Sequence, residues 1–161
     1  MPTDPVLATA RYLVGESLKE LRSSIEGLPV EALNWRPAGD ATNSIAVLAT
    51  HTVHSTRLWL SMAMGAPLPE RDRDSEFRAS VDDSAALLRL VDEVAEDCLA
   101  VLRSAEDVDW AAARKTQGRG GDAAPEVAAA FALIHATEHL RGHLDQMSLT
   151  RRLWEARPAP G

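Results

Sequence analysis

The chain has 161 residues, of which 45% are hydrophobic, 25% charged and 4% aromatic. These fractions are typical of a globular domain and exclude disordered, collagen-like and disulfide-scaffold proteins. Lys and Arg total 17 against 24 Asp and Glu, a formal net charge of −7, and no long basic block offsets it locally. Because nucleic-acid affinity depends on clustered cations, we expect no nucleic-acid partner.

Three features of the sequence favour a cytoplasmic location. The single Cys98 cannot form an internal disulfide, which fits a reducing compartment. Residues 1–5 lack the basic and apolar regions of a signal peptide. No uninterrupted apolar run approaches the roughly 20 residues that cross a bilayer, so we expect no membrane partner.

Four stretches of the chain have the hydrophobic period of an α-helix, and almost nothing shows the alternation of a half-buried strand. We predict helices over 5–26, 43–64, 81–104 and 125–154. Asp4 can cap the first helix, and Asn43 or Ser44 the second. Cys98 falls in the apolar stripe of the third helix, which predicts a small buried side chain rather than a reactive thiol.

The predicted helices are joined by three connections. The first, 28–42, can hold one short helical turn at 30–33. The second, 66–80, carries a charge run at 70–74 and is predicted to be a solvated crossover, too polar for the core. In the third, 105–124, the glycine tract at 118–122 lacks the spacing of a phosphate-binding loop and is predicted to be flexible.

No repeat or domain boundary is evident, so residues 1–161 are predicted to form one domain. Four amphipathic helices of about twenty residues or more in one domain are typical of an all-α antiparallel four-helix bundle. Polar sites in such a bundle are built by side chains that point inward from facing helices.

Three histidines are predicted to point into this bundle. In the last helix the solvent-facing side carries Glu138, Arg141 and Asp145, while His139 and His143 lie in the opposite arc, one turn apart. In the second helix His51 lies inside the apolar arc. The two other histidines, His54 and His135, lie nearer the edges of these arcs.

Three neutral imidazoles in an apolar interior would leave lone pairs without partners, and protonated ones would repel one another. A divalent cation accepts all three lone pairs and leaves each N–H free for an outer oxygen. We therefore predict a metal site at His51, His139 and His143, the alternative being unmetallated packing. The ligand type narrows the ion to zinc, nickel, iron or copper.

Two other metal motifs fit the sequence less well. Residues 135–139 match the inverted zincin pattern H-x-x-E-H, but Glu138, its general base, points to the solvent-facing side of the predicted helix. A di-iron bundle needs Glu-x-x-His motifs and further inward glutamates. No Glu-x-x-His occurs in the chain, and inward carboxylates are not evident.

Several segments resemble the DinB-like (YfiT-type) superfamily of metal-dependent enzymes. They are Asn-Ser-Ile-Ala-Val-Leu-Ala-Thr-His at 43–51, Arg-Leu-Trp-Leu at 57–60 and Glu-His-Leu-Arg-Gly-His-Leu-Asp-Gln-Met at 138–147, with Leu-Asn-Trp-Arg-Pro at 33–37. The resemblance implies a four-helix bundle of up-down-down-up order. It also implies one divalent ion, usually zinc or nickel, at the positions of His51, His139 and His143.

The same resemblance implies a function and an assembly. Its characterised enzymes are similar to transferases or isomerases that use mycothiol, bacillithiol or glutathione, and other members form homodimers. Our leading hypothesis is a metal-dependent, low-molecular-weight-thiol transferase that acts on a small molecule. A non-catalytic metal or ligand-binding bundle and a metal-dependent hydrolase are the alternatives. No general base is identified, and His54 and His135 are candidates only for outer or substrate-side groups.

Overall fold

A computed structural model of the chain describes residues 4–116 and 125–158. Its helices are α1 (Pro5–Ile25), α2 (Val30–Asn34), α3 (Ile45–Met64), α4 (Arg73–Glu76), α5 (Ser84–Ser104) and α6 (Ala129–Glu155), with a 3-10 turn at Gly39–Ala41. Two short strands, β1 (Ala113–Lys115) and β2 (Glu126–Ala128), complete the structure. The mostly helical fold is as predicted, and the predicted loop at 118–122 lies outside the described residues.

The ends of the first two long helices follow from their capping residues. The Asp4 carboxylate accepts hydrogen bonds from the backbone N–H groups of Val6 and Leu7, and the Ser44 hydroxyl accepts one from Val47. Gly65, at φ 69°, ends α3 in the left-handed conformation that glycine adopts without steric cost. The short turn expected in the first connection is α2.

The last two long helices begin later than predicted. Asp83 caps α5 by accepting from Ala85, and the backbone of Val81 is instead bound on both sides by the Asn34 amide. Residues 126–128, predicted to be helical, pair with 113–115 as an antiparallel ladder. These strands have three residues each, too few for an alternating pattern to show in the sequence.

The four long helices bury their apolar stripes against one another. Both α1 and α3 pack against α5 and α6, so α3 faces α6 along the site described below. The core contains Leu7, Val14, Leu18, Leu21, Ile25, Ile45, Leu48, Val53, Leu60, Leu87, Val91, Cys98, Leu102, Leu140, Leu144 and Met147. Within residues 4–116 and 125–158, no helix is both long enough and apolar enough to span a membrane.

Cys98 is fully buried on α5, as predicted, and its thiol faces the carbonyl oxygen of Val53 at 4.0 Å. Burial raises the pKa of this thiol to about 12. Cys98 is therefore a core residue and a poor nucleophile.

The crossover between α3 and α5 departs most from its prediction. We expected residues 66–80 to be solvated throughout, yet Glu76 is only 4% exposed and the Arg71 side chain only 8%. The short helix α4 packs on α3 and places Glu76 against it. Both charges are tolerated in the interior because they neutralise each other and are hydrogen-bonded.

Candidate metal centre

The three histidines predicted to converge lie together between α3 and α6. His51 comes from α3, and His139 and His143 from successive turns of α6. One ring nitrogen from each lies within 4.8 Å of the other two. The Nε2 atom of His139 is 3.3 Å from that of His51 and 3.2 Å from that of His143. His51 is buried, and the other two rings are half-buried.

The opposite nitrogens of two of these rings are held by oxygen acceptors. Nδ1 of His51 lies 2.9 Å from the Glu76 carboxylate, and Nδ1 of His143 lies 2.9 Å from the side-chain carbonyl oxygen of Gln146. A carboxylate can only accept, so this contact favours the tautomer of His51 with its proton on Nδ1. His143 is held in the same tautomer by the amide oxygen. Both rings therefore direct an Nε2 lone pair at His139.

His139 cannot satisfy both neighbours through hydrogen bonding alone. One proton on its Nε2 could bridge to either His51 or His143, but not to both. Its Nδ1 is buried and has no hydrogen-bond partner within the described part of the chain. If Nδ1 carries the proton instead, three lone pairs face one another, an arrangement that a cation would stabilise.

The spacing of the three nitrogens suits a small divalent ion. Ligand nitrogens at about 2.0–2.1 Å from a tetrahedral zinc are roughly 3.3 Å apart, and the two measured Nε2 separations are 3.3 and 3.2 Å. Three imidazoles also form a recognised ligand set for zinc sites that keep a position open. The three histidines therefore fit a small divalent ion such as zinc.

Burial favours the neutral, metal-binding form of two of the three histidines, His139 and His143. Burial, followed by the neighbouring His143, His51, His135 and Arg71, lowers the pKa of His139 to about 3. Burial also lowers the pKa of His143, against a smaller opposing effect of the Gln146 hydrogen bond. A neutral imidazole does not have to lose a proton before it binds an ion.

Glu76 is the site residue that the sequence analysis missed. Burial raises the pKa of its carboxyl, but hydrogen bonds from His51 and Arg71 outweigh that effect and the net pKa is lowered. Arg71 binds both carboxylate oxygens, each at 2.7 Å. Phe77, next in the chain, packs on the His51 ring with centroids 4.4 Å apart. Phe77 is an aromatic residue within the polar segment 66–80, and it is the feature of the sequence that indicates contact between this segment and the core.

A cleft of about 320 Å³ opens beside His139 and His143, and it is also lined by His135, Glu138, Gly142 and Gln146. The His135 ring lies 4.2 Å from that of Trp59 and stacks on Phe131 at 5.9 Å. Trp59 and Phe131 therefore flank the His135 ring, and of these three residues His135 lines the cleft.

The other candidate residues lie outside the cluster. His135 is 5.6 Å from His139 between ring centroids, and Glu138 is exposed at the cleft rim, so the H-x-x-E-H residues do not converge as a set. His54 is half-buried on α3, where burial lowers its pKa. The expectation of no inward carboxylate is wrong for Glu76. This carboxylate contacts Nδ1 of His51, on the side of the imidazole away from the three Nε2 atoms.

Comparisons with known proteins agree with this description. The structure resembles the crystal structure of a conserved protein from Enterococcus faecalis with a TM-score of 0.73, at 15% identity, over 96% of this chain and 99% of that one. At that identity the likeness supports the fold alone. No curated protein matches the sequence significantly. The sequence model of the DinB superfamily matches residues 14–147, which include all three clustered histidines. This chain belongs to the DinB superfamily.

Proposed function

We propose that this protein is a metal-dependent enzyme whose divalent ion, zinc or nickel, is held by Nε2 of His51, His139 and His143. The observation that carries the proposal is the meeting of these three nitrogens while acceptors occupy the outer nitrogens of His51 and His143. Packing alone gives no reason for two rings to present lone pairs to a third.

The proposal includes the arrangement of the chain. We assign residues 1–161 to one domain in which α1, α3, α5 and α6 form a four-helix bundle of up-down-down-up order. The pairwise packing of these helices supports a bundle. A long connection between α3 and α5 supports the order, because two successive parallel helices need a chain that returns along the bundle.

The proposed reaction is the transfer of a low-molecular-weight thiol, such as mycothiol, to a small electrophilic substrate. A bound divalent ion would supply a lowered pKa for the thiol. The thiol sulfur would then bond to an electrophilic carbon, and the group displaced there would leave with its electron pair. The cleft beside His139 and His143 gives both reactants access to the site.

We assign His135 to the substrate side of this cleft. Trp59 and Phe131 hold the His135 ring in place from two sides. His135 is the imidazole that lines the cleft outside the proposed ligand set, and we propose that it accepts the proton that the thiol releases.

Metal analysis tests the ligand assignment. Untagged protein should contain about one divalent ion per chain, as a single three-histidine site requires. His143→Ala should remove it, whereas His54→Ala, a second α3 histidine outside the cluster, should retain it. Unchanged metal content in His143→Ala would end the assignment.

Activity measurements separate the enzyme classes. Ion-dependent conjugation of a generic electrophile with mycothiol, bacillithiol or glutathione would support the transferase. Retained metal without turnover for any of these thiols would instead favour a non-catalytic binding protein or a hydrolase.

We also propose a homodimer formed through α6. Phe131, Ile134, Leu149 and Leu153 are large apolar residues of this helix that remain exposed. Size-exclusion chromatography with light scattering should give twice the chain mass of 17.4 kDa. A single-chain mass at micromolar concentration would contradict the dimer.

A further inference from the structure

We infer that Glu76 is a positioning residue for the proposed metal centre, and that it selects the His51 tautomer whose Nε2 lone pair faces His139 and His143. Arg71 takes part by holding the Glu76 carboxylate in place. The inference rests on the proposed function, but it concerns the proton on His51 and can be tested in the metal-free protein.

The burial of Glu76 is the first argument. Within residues 4–116 and 125–158, Glu76 is the one Asp or Glu residue that is buried. The side chain of its partner Arg71 is almost as inaccessible to solvent. Removing two charges from water is costly, and apolar residues of similar size often fill such a place equally well or better. A buried ion pair that contacts a candidate metal ligand therefore says more about function than an exposed ion pair does.

The geometry of the pair restrains the carboxylate. Arg71 Nε donates to Oε1 and Nη2 donates to Oε2, both at 2.7 Å, in a two-bond fork that fixes the plane of the carboxylate. The same Oε2 accepts the proton of His51 Nδ1 at 2.9 Å. Phe77 packs on the His51 ring and is itself covered by the Arg73 guanidinium at 4.7 Å. The crossover thus restrains the outer edge of the ring and also packs against the ring itself.

A second contact shows what Glu76 prevents. Arg71 Nη2 lies 3.2 Å from Nδ1 of His51. A guanidinium only donates, so without Glu76 it would donate to an unprotonated Nδ1. The His51 proton would then move to Nε2 and point at His139, where it would block the lone pair that a metal ion needs. Glu76 decides between these two tautomers because it is the acceptor at Nδ1.

Two variants separate this role from a structural one. Glu76→Leu removes the acceptor and leaves Arg71 as the polar neighbour of Nδ1. The double variant Arg71→Met with Glu76→Leu removes both charges, so it leaves no unpaired buried charge and is expected to fold even if the single variant does not. Asp97→Asn is the matched control, because Asp97 pairs with Arg57 of α3 at 3.1 Å in an ion pair separate from the three-histidine cluster.

The experiment has two readouts. Zinc affinity is measured by competition with a chromogenic chelator, on protein shown to be folded by circular dichroism. The protonated nitrogen of His51 is assigned in metal-free protein from its ¹⁵N shifts in long-range ¹H–¹⁵N NMR spectra.

We expect wild type to carry the His51 proton on Nδ1. Glu76→Leu should move this proton to Nε2 and weaken zinc binding by about 10- to 100-fold, the range typical of lost outer partners of metal ligands. The double variant should weaken zinc binding by about 10-fold, and Asp97→Asn should leave it unchanged.

Zinc binding by the double variant as tight as wild type would overturn the inference, and so would a wild-type His51 proton on Nε2. If wild type binds no divalent ion, the proposed function fails. The tautomer in the metal-free protein would still decide the role of Glu76.

Discussion

Replacing His139 with leucine should make the metal-free protein less sensitive to acid. In the folded chain the pKa of His139 is lowered to about 3 from its ordinary 6.5, chiefly by burial and then by the neighbouring histidines and Arg71. The unfolded chain therefore binds a proton below pH 6.5 that the folded chain does not bind until near pH 3. The stability present above pH 6.5 is lost as the pH falls through this window.

The size of the effect follows from the linkage relation. A full proton difference between the two states changes the free energy of unfolding by about 1.4 kcal/mol per pH unit. Because the His139 ring is only half-buried, solvent screens part of this cost, and we take about half, near 0.7 kcal/mol per unit. Between pH 6.5 and 5.0 the free energy of unfolding of wild type should thus fall by about 1 kcal/mol more than that of His139→Leu.

Urea denaturation of protein dialysed against EDTA, at pH 7.5 and pH 5.0, measures this difference. The carboxylates protonate in both proteins, so their contribution cancels when the two losses are subtracted. Equal losses for wild type and His139→Leu would refute the reasoning, because they would mean that the folded protein protonates His139 as readily as the unfolded chain does.

Three other predictions follow from the structure. Zinc at a hundred times its dissociation constant should raise the free energy of unfolding by about 2.7 kcal/mol, and a calorimetric melt should show no such gain for His143→Ala. Cys98 should react with an aromatic disulfide reagent only after unfolding, since its thiol is buried and its pKa is about 12; rapid modification of native protein would contradict its placement. Asp4→Ala should lower the urea concentration at the unfolding midpoint, because Asp4 caps α1 and also accepts the Trp110 indole N–H at 2.7 Å; an unchanged midpoint would show that this cap is dispensable.

The long helices were predictable because their signals are local. Asp4 and Ser44 each lie immediately before an apolar period, and Gly65 lies directly after one, so three helix ends could be placed from neighbouring residues. The start of α5 was predicted too early because the Val81 backbone is bound by Asn34, a residue 47 positions away. The start of α6 was misplaced for a related reason, since residues 126–128 pair with residues 113–115, which are too distant in the chain for a short hairpin to be recognised.

The convergence of the histidines was predictable and the burial of Glu76 was not. Each histidine could be placed on an inward arc from the helical period of its own helix. Glu76 belongs to a segment whose composition indicates solvent, and it is buried only because α4 folds back onto α3 and meets His51. Its proximity to Arg71 made an ion pair foreseeable, but not the third partner 25 residues earlier in the chain.

Two of the three clustered imidazoles belong to successive turns of one helix, whereas the third lies 88 residues before the nearer of them. The α6 pair exists as soon as that helix forms, before the long loop between α3 and α6 has closed. An ion present from the start of refolding would thus bind His139 and His143 on two turns of the newly formed helix. It would bind His51 only when α3 packs against α6. Zinc would then influence the order in which the chain assembles as well as the stability of the finished fold.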